Sequence, residues 1–191
     1  MKETVSNELL LKVEAEQEAL GKVFRALRDG TEFEHPKDIA YYNIKFAILK
    51  WNVERNNFGF NADNEILMLT EEADEAEDTD DINEFIDGRG DEFVVMTGAL
   101  AKSGSVGVPF NDELVAWYGR YIKIPKELEA NGYHFEKAMK EVLKEINSRK
   151  QDSEQKKRWE KDGVTVGEKW QKSKTQDPTT LYKANFSSCK I

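Results

Sequence analysis

The spacing of the apolar residues is the feature that most constrains the fold of this chain. Over long stretches these residues recur every three or four positions, and few runs alternate apolar with polar side chains. Only four prolines occur in 191 residues, so the long intervals between them are free to form helix. No internal repeat is visible. The pattern predicts an all-α fold, a helical bundle of about five to six helices.

The predicted helices have boundaries that local signals suggest. Asp29-Gly30 is expected to end the first helix and Ser103-Gly104 the fourth, while Pro36 suits the first turn of the second. Pro125 is expected to interrupt or restart the fifth. The approximate ranges are 2–27, 36–54, 63–78, 80–102, a helix from 111 interrupted near 125, and 133–150.

Composition excludes several classes of protein. A hydrophobic fraction of 39% is enough for a core, and a net charge of −9 argues against binding a nucleic-acid polymer. The single cysteine, Cys189, forms no internal disulfide and no cysteine-based zinc site. No signal peptide is apparent, and no apolar run approaches the roughly 20 residues that span a bilayer. We expect a soluble, cytoplasmic protein without membrane partners.

The C-terminal part differs in charge from the rest. Residues 151–191 contain nine Lys and Arg against six Asp and Glu, which gives a local charge of 9 − 6 = +3. Apolar periodicity is weak there. We expect an irregular basic arm, either a flexible tail or a segment that closes over something acidic.

The stretch 70–93, TEEADEAEDTDDINEFIDGRGDEF, is the most acidic part of the chain. Twelve of its 24 residues are acidic, and Arg89 is its only basic residue. A solvated acidic surface and a carboxylate site for a divalent cation both fit this composition.

Helical spacing places some of these acidic residues on a common helix face. Glu71 and Glu75 are four residues apart and Glu72 and Glu75 three apart, so they share one face of the third helix. Asp87 and Asp91 are four apart on the fourth helix, in line with apolar residues that follow. Hard cations such as Mg²⁺ or Mn²⁺ prefer oxygen ligands, and two antiparallel helices can supply them.

The other acidic residues of this stretch share no face. We expect them to be solvated, with Glu84 ambiguous because it lies three residues before Asp87. The remaining members of this group are Asp74, Glu77, Asp78, Asp80, Asp81 and Glu92.

Three blocks in this order resemble the MazG-like, all-α nucleoside triphosphate pyrophosphohydrolases, especially their phage-type members. The first is an E-E-x-x-E helix, at 71–75. The second is IDGRGDEFVVMTGALAKSG, 86–104, where Asp87, Asp91, Gly98 and Ala101 match the phage-type D-x-x-x-D and G-x-x-A pattern. The third is HFEKAMKEVLKEINSRK, 134–150, which ends in an N-x-x-K signature. KWQKSKTQDPT, 169–179, is similar to the short lysine-containing C-terminal arm of the family.

The sequence departs from the commoner form of the family at one ligand. That form has E-x-x-D before the apolar stretch, and Gly88 stands where its glutamate would be. Glu84 and Asp87 have the E-x-x-D spacing one turn earlier. The identity of the fourth carboxylate ligand therefore stays open.

The resemblance covers about residues 40–180 and implies an enzyme. It implies Mg²⁺-dependent hydrolysis of the α–β phosphate bond of an NTP or dNTP, giving a monophosphate and pyrophosphate, in a homodimer or homotetramer. It also implies an N-terminal helix outside the family (1–35), a catalytic domain (36–150) and a basic arm (151–191). The implied metal ligands are Glu72, Glu75, Asp87 and Asp91, with Glu71 and Glu72 catalytic. The implied substrate contacts are Asn147, Lys150, Lys172 and Lys174.

Aromatic residues and two other functions complete the expectations. Phe58, in the loop NNFGFN, is a candidate to stack on a nucleobase, whereas Trp51 and Trp117 occupy apolar helical positions that favour core packing. The same site acting on a guanosine alarmone or a phosphoribosyl nucleotide is one alternative. A metal-binding helical oligomer without enzymatic activity is the other.

Overall fold

The computed structural model describes residues 5–149 and 182–191, and it confirms the all-α class. The described residues form seven α-helices and one short 3₁₀ helix, Phe186–Cys189. They contain no β-strand, only an isolated antiparallel bridge between Tyr133 and Lys190. The helices are α1 Asn7–Asp29, α2 Tyr42–Glu54, α3 Ala62–Glu77, α4 Ile82–Val106, α5 Asp112–Tyr121, α6 Ile124–Ala130 and α7 Phe135–Ser148.

Helix α4 is the centre of the bundle. It is 25 residues long, contacts each of the other six α-helices and is buried along most of its length. Phe93, Met96 and Leu100 on this helix are almost completely inaccessible to solvent. Because α4 is surrounded, polar residues on it lie close to several other elements.

The crossing of α1 over α4 depends on two glycines. A Cβ on Gly104 would lie 1.9 Å from the carbonyl oxygen of Gln17, and one on Gly21 would lie 2.4 Å from the carbonyl carbon of Gly104. The two backbones therefore touch. The prediction that Ser103-Gly104 ends the fourth helix is wrong, since α4 continues to Val106 and is capped by Gly107 in the left-handed conformation at φ 72°.

The predicted start of the second helix at Pro36 is also wrong. Residues 31–41 are irregular, and α2 begins at Tyr42. Tyr41 has φ 55°, an uncommon conformation for a large side chain, and its ring packs edge-on against Phe135 at 4.7 Å. Pro36 is locally compatible with a helix start, but the helix begins six residues later, next to the packed Tyr41 ring.

Several predicted boundaries agree with the structure. Asp81 and Asn111 cap α4 and α5, and their side chains accept backbone N–H bonds from Asn83 and Leu114 at 2.8 Å and 2.9 Å. Pro125 restarts the chain as the separate helix α6, which brings the described α-helices to seven.

Two side chains of residues 182–191 belong to the core. The ring of Phe186 and the thiol of Cys189 are buried. The N–H of His134 donates to the Cys189 carbonyl at 2.8 Å, and that of Ile191 donates to the Gly132 carbonyl at 2.9 Å. These contacts hold the chain end at the start of α7.

Within the described residues, no helix combines the length and apolarity that crossing a bilayer requires.

Candidate functional site

The predicted acidic residues lie on two adjacent helices, α3 and α4. Glu71, Glu72 and Glu75 are on the C-terminal half of α3, and Asp87 and Asp91 are on the N-terminal part of α4. A four-residue turn, 78–81, joins the two helices. Because the helices run in opposite directions from this turn, their acidic ends are neighbours.

Two glycines of α4 bring other helices close to Asp87 and Asp91. A Cβ on Gly88 would lie 2.9 Å from the Ala76 Cβ and 3.0 Å from the Glu72 carbonyl oxygen of α3. A Cβ on Gly90 would lie 2.6 Å from a methyl group of Val142 on α7. Position 88, where the commoner family form has a glutamate, faces the backbone of α3 and has no room for a carboxylate side chain.

The charges of Glu72 and Asp91 act on one another. Burial, followed by the charge of Glu75 and those of Asp87 and Glu71, raises the pKa of Glu72 to about 7. Burial, followed by Glu72 and Asp87, raises the pKa of Asp91 well above its ordinary value. The structure therefore brings the acids of both helices into one electrostatic cluster, which we call the acid cluster: Glu71, Glu72, Glu75, Asp87 and Asp91.

Helix α7 and the residue after it add two side chains that the sequence analysis missed. The negative charge of Glu145 also raises the pKa of Asp91, whereas Arg149 opposes the pKa shifts of both Glu72 and Asp91. The Arg149 guanidinium donates to Glu145 across 2.8 Å. Because Glu145 and Arg149 are four residues apart, the sequence could have predicted their ion pair. It could not have predicted that the pair lies near the acids of α4.

The members of the acid cluster differ in exposure. Glu71, Glu72, Asp87 and Asp91 are half-buried, while Glu75 is exposed. In the described part of the chain, no group of three or more His, Cys, Asp or Glu side chains is arranged to hold a metal ion. The donor chemistry of the acid cluster nevertheless suits Mg²⁺, because carboxylate oxygens are its preferred protein ligands and Glu72 and Asp91 repel each other without a cation.

The predicted substrate contacts are spread more widely. Asn147 is exposed on α7. The half-buried Phe58 ring packs against Phe24 with centroids 5.7 Å apart, beside the buried core. Lys150, Lys172 and Lys174 lie outside the described residues.

A second charged group surrounds Arg89 on α4, and two of its acids, Glu77 and Glu92, were expected to be solvated. That expectation is wrong for Glu92, which is 1% exposed. Arg89 donates to Glu92 at 2.9 Å, to Glu77 at 3.2 Å and to Glu127 at 3.2 Å. Arg120 also contacts Glu77 at 2.8 Å, so Glu77, although exposed, is held in ion pairs. This Arg89 network ties α4 to α3 and α6.

Farther along α4, Gly98 lies beside Asn52 of α2, which is hydrogen-bonded to Asn57. A Cβ on Gly98 would lie 3.4 Å from the side-chain amide nitrogen of Asn52 on α2, an ordinary van der Waals contact. Asn57 donates to the Asn52 side-chain oxygen at 2.6 Å. This bond fixes the loop that leads to Phe58.

Comparisons with models of protein families, with curated proteins and with solved structures find no match for this chain.

Proposed function

We propose that this protein is a Mg²⁺-dependent nucleotide pyrophosphohydrolase that cleaves the α–β phosphate bond of an NTP or dNTP. The observation that carries the proposal is the acid cluster, where α3 and α4 place half-buried carboxylates close enough for their charges to oppose one another. Structural proteins rarely keep such repulsion without a compensating role, since perturbed acids concentrate at functional sites. The motif resemblance then supplies the reaction class.

The proposed roles divide the acid cluster. Glu72, Glu75, Asp87 and Asp91 would hold the metal. When bound, Mg²⁺ neutralises phosphate charge and orients a water for in-line attack. Glu71 is half-buried on the same turn as Glu72 and is not assigned to the metal, so it is our choice to accept the proton of that water.

The reaction then consumes one water and gives a monophosphate and pyrophosphate. The oxygen of that water bonds to the α-phosphorus, and the bridging oxygen leaves with the pyrophosphate. Asn147, Lys150, Lys172 and Lys174 are proposed to contact phosphate or sugar. Phe58 is proposed to reach the base, for which its ring would have to present one face away from Phe24. The homodimer or homotetramer is part of the same proposal and is measured directly by light scattering.

The first test is hydrolysis of a panel of common NTPs and dNTPs with and without Mg²⁺, with products separated by anion-exchange chromatography. We expect metal-dependent formation of monophosphate and pyrophosphate. Diphosphate and phosphate as products would place the cut at the β–γ bond and contradict the proposal. No turnover would direct the same assay to alarmone and phosphoribosyl substrates, and a negative result there would favour a non-enzymatic metal-binding oligomer.

The second test is the variant Asp91→Asn. Turnover should fall by more than about 100-fold, because a lost carboxylate ligand removes metal stabilisation worth several kcal/mol. The folded state should be equally or more stable, since one of the repelling charges is gone. Asp74→Asn is the matched control, because Asp74 is exposed on α3 and the charge change is the same. Equal turnover in the two variants would contradict the assignment of Asp91.

A further inference from the structure

Two glutamates of α7 hold the end of the chain against this helix. Glu141 accepts the N–H of Asn185 at 3.3 Å and the hydroxyl of Tyr182. Glu145 accepts the N–H of Ala184 at 2.8 Å through one carboxylate oxygen. The backbone N–H groups of this segment are therefore satisfied by side-chain carboxylates of α7.

Glu145 has a second bond that points in another direction. Its other oxygen accepts the Arg149 guanidinium at 2.8 Å, and its side chain is only 9% exposed. Both oxygens are thus engaged, one by the chain end and one by Arg149. A carboxylate bound on both sides has little rotational freedom, so it fixes the position of the guanidinium.

The backbone of Arg149 is held from the α2 side as well. The Arg55 guanidinium donates to the Arg149 carbonyl at 3.4 Å and lies over the Trp51 ring, 4.5 Å from its centroid. The indole N–H of Trp51 donates to the Ile146 carbonyl at 3.3 Å. Contacts from the α2 side reach the backbone of Arg149, and the chain end reaches its ion-pair partner Glu145.

Helix α7 packs against α4 next to Asp91, since a Cβ on Gly90 would come within 2.6 Å of a Val142 methyl group. Arg149 directly follows the C-terminal end of α7, so its guanidinium lies on the side of the bundle that carries the acid cluster. Its charge acts on Asp91, Asp87 and Glu72. Among the described residues, however, its direct ion pair is with Glu145 and not with an acid of α3 or α4. A residue that served only to neutralise the acids would be expected to pair with them directly. A guanidinium has five N–H donors in a planar fork that matches phosphate, and the bond to Glu145 uses one of them.

We infer that Arg149 binds a phosphate group of the substrate at the rim of the acid cluster, and that Glu145, anchored by the Ala184 N–H, is its positioning residue. The inference rests on the proposed function and adds to it an anion-binding side chain that the motifs did not identify. In this arrangement the acid cluster would hold Mg²⁺, and Arg149 would contact a phosphate group of the metal-bound nucleotide.

The test measures metal and nucleotide binding separately, by calorimetry. The probes are Mn²⁺ alone, and a dNTP analogue with a non-hydrolysable α–β bridge in the presence of Mg²⁺. Arg149→Gln should weaken analogue binding by about 10-fold or more, as expected for a lost charged hydrogen bond. The same variant should bind Mn²⁺ as tightly or a few-fold tighter, because a positive charge has left the cluster. Opposite directions for the two ligands are the signature of an anion-binding role.

Two further variants keep the test sharp. Arg149→Lys retains the charge, so Mn²⁺ affinity should stay unchanged while the analogue binds a few-fold more weakly. Arg28→Gln removes one positive charge from the exposed end of α1 and should change neither affinity. Weaker binding of both ligands by Arg149→Gln would show that Arg149 only supports the fold and would overturn the inference.

The role of Glu145 is tested in a double-mutant cycle. Glu145→Gln should raise KM more than it lowers kcat, and its effect on analogue affinity should disappear in the Arg149→Gln background. Additive effects would overturn the positioning role. If the wild type hydrolyses nucleotides while Arg149→Gln binds the analogue normally, the inference alone fails. If the wild type neither binds nor hydrolyses nucleotides, the proposed function fails and the inference with it.

Discussion

At the scale of single residues, Glu72 links the charge of the acid cluster to stability. Its pKa is raised from the ordinary 4.5 to about 7, first by burial and then by Glu75. In the unfolded chain the group ionises at its ordinary value. Between these two values the unfolded state is the more ionised one, so the stability contributed by neutral Glu72 is present below about pH 4.5 and is lost as the pH rises to about 7.

We therefore expect metal-free protein to lose stability relative to Glu72→Gln as the pH rises. The difference in free energy of unfolding should grow by about 1–2 kcal/mol between about pH 4.5 and pH 7, with allowance for solvent screening. Urea denaturation in EDTA measures it. Asp74→Asn is the control for an exposed acid on α3. A difference that stays constant with pH would contradict the assignment of the shift to Glu72.

At the scale of elements, the contact between α1 and α4 depends on the absence of a side chain at Gly104. Gly104→Ala would push a methyl group to within 1.9 Å of the Gln17 carbonyl oxygen, and both partners are helix backbone. We expect a loss of about 3 kcal/mol or more in the free energy of unfolding, at or beyond the upper end for overpacking. Thermal or urea denaturation gives the value.

Gly119→Ala is the matched control for that variant. Gly119 lies inside α5, and a Cβ there would meet only a methyl group of Leu9 at 3.4 Å. Alanine should stabilise the protein by about 0.5–1 kcal/mol through helix propensity. If both alanine variants had similar stabilities, the α1–α4 backbone contact would not be the determinant proposed.

The Arg89 network joins elements through charge. Arg89→Met removes three contacts and leaves Glu92 buried, with only the Arg120 contact at 3.5 Å. We expect a loss of about 3 kcal/mol, because an unpaired buried carboxylate keeps its desolvation cost. Glu92→Gln in the same background should recover a large part of the loss. The urea-denaturation control is Lys22→Met, which breaks an exposed pair and should stay within about 0.5 kcal/mol.

At the scale of the whole molecule, the chain end completes the core. Phe186 is 2% exposed and lies against the cluster of buried apolar residues. Phe186→Ala should cost about 3 kcal/mol or more in the free energy of unfolding. Ser187→Ala, at an exposed neighbouring position, should change it by less than about 0.5 kcal/mol. Equal stability in both variants would contradict the contribution of the Phe186 side chain to the core.

The local part of the fold was predictable because it depends on nearby residues. Asp81 and Asn111 begin helices, Pro125 restarts one, and the stripe through Phe135, Ala138 and Val142 is buried. Each of these follows from interactions within about one helical turn.

The errors concern interactions between distant segments. A glycine after a serine is typical of a helix end, but Gly104 lies inside α4. Its missing side chain leaves space for the backbone of Gln17 where α1 crosses α4. Glu92 belongs to an acidic run that looks solvated but is buried beside Arg89 and reached by Arg120. Gly88 occupies the position at which the commoner form of the resembled family has a glutamate. The backbone of α3 fills the space that a side chain at position 88 would need.

Three properties could be read from the sequence alone: the all-α class, the grouping of acids on one face of α3 and one of α4, and the motif resemblance. Periodicity and spacing carry that information, since they depend on residues close in the chain. The packing of the folded chain was needed to show that these two faces meet, that Gly88 and Gly90 let α3 and α7 approach, and that the charge of Arg149 acts on Asp91. Those relations depend on where helices cross, and crossing geometry arises from packing across the whole chain.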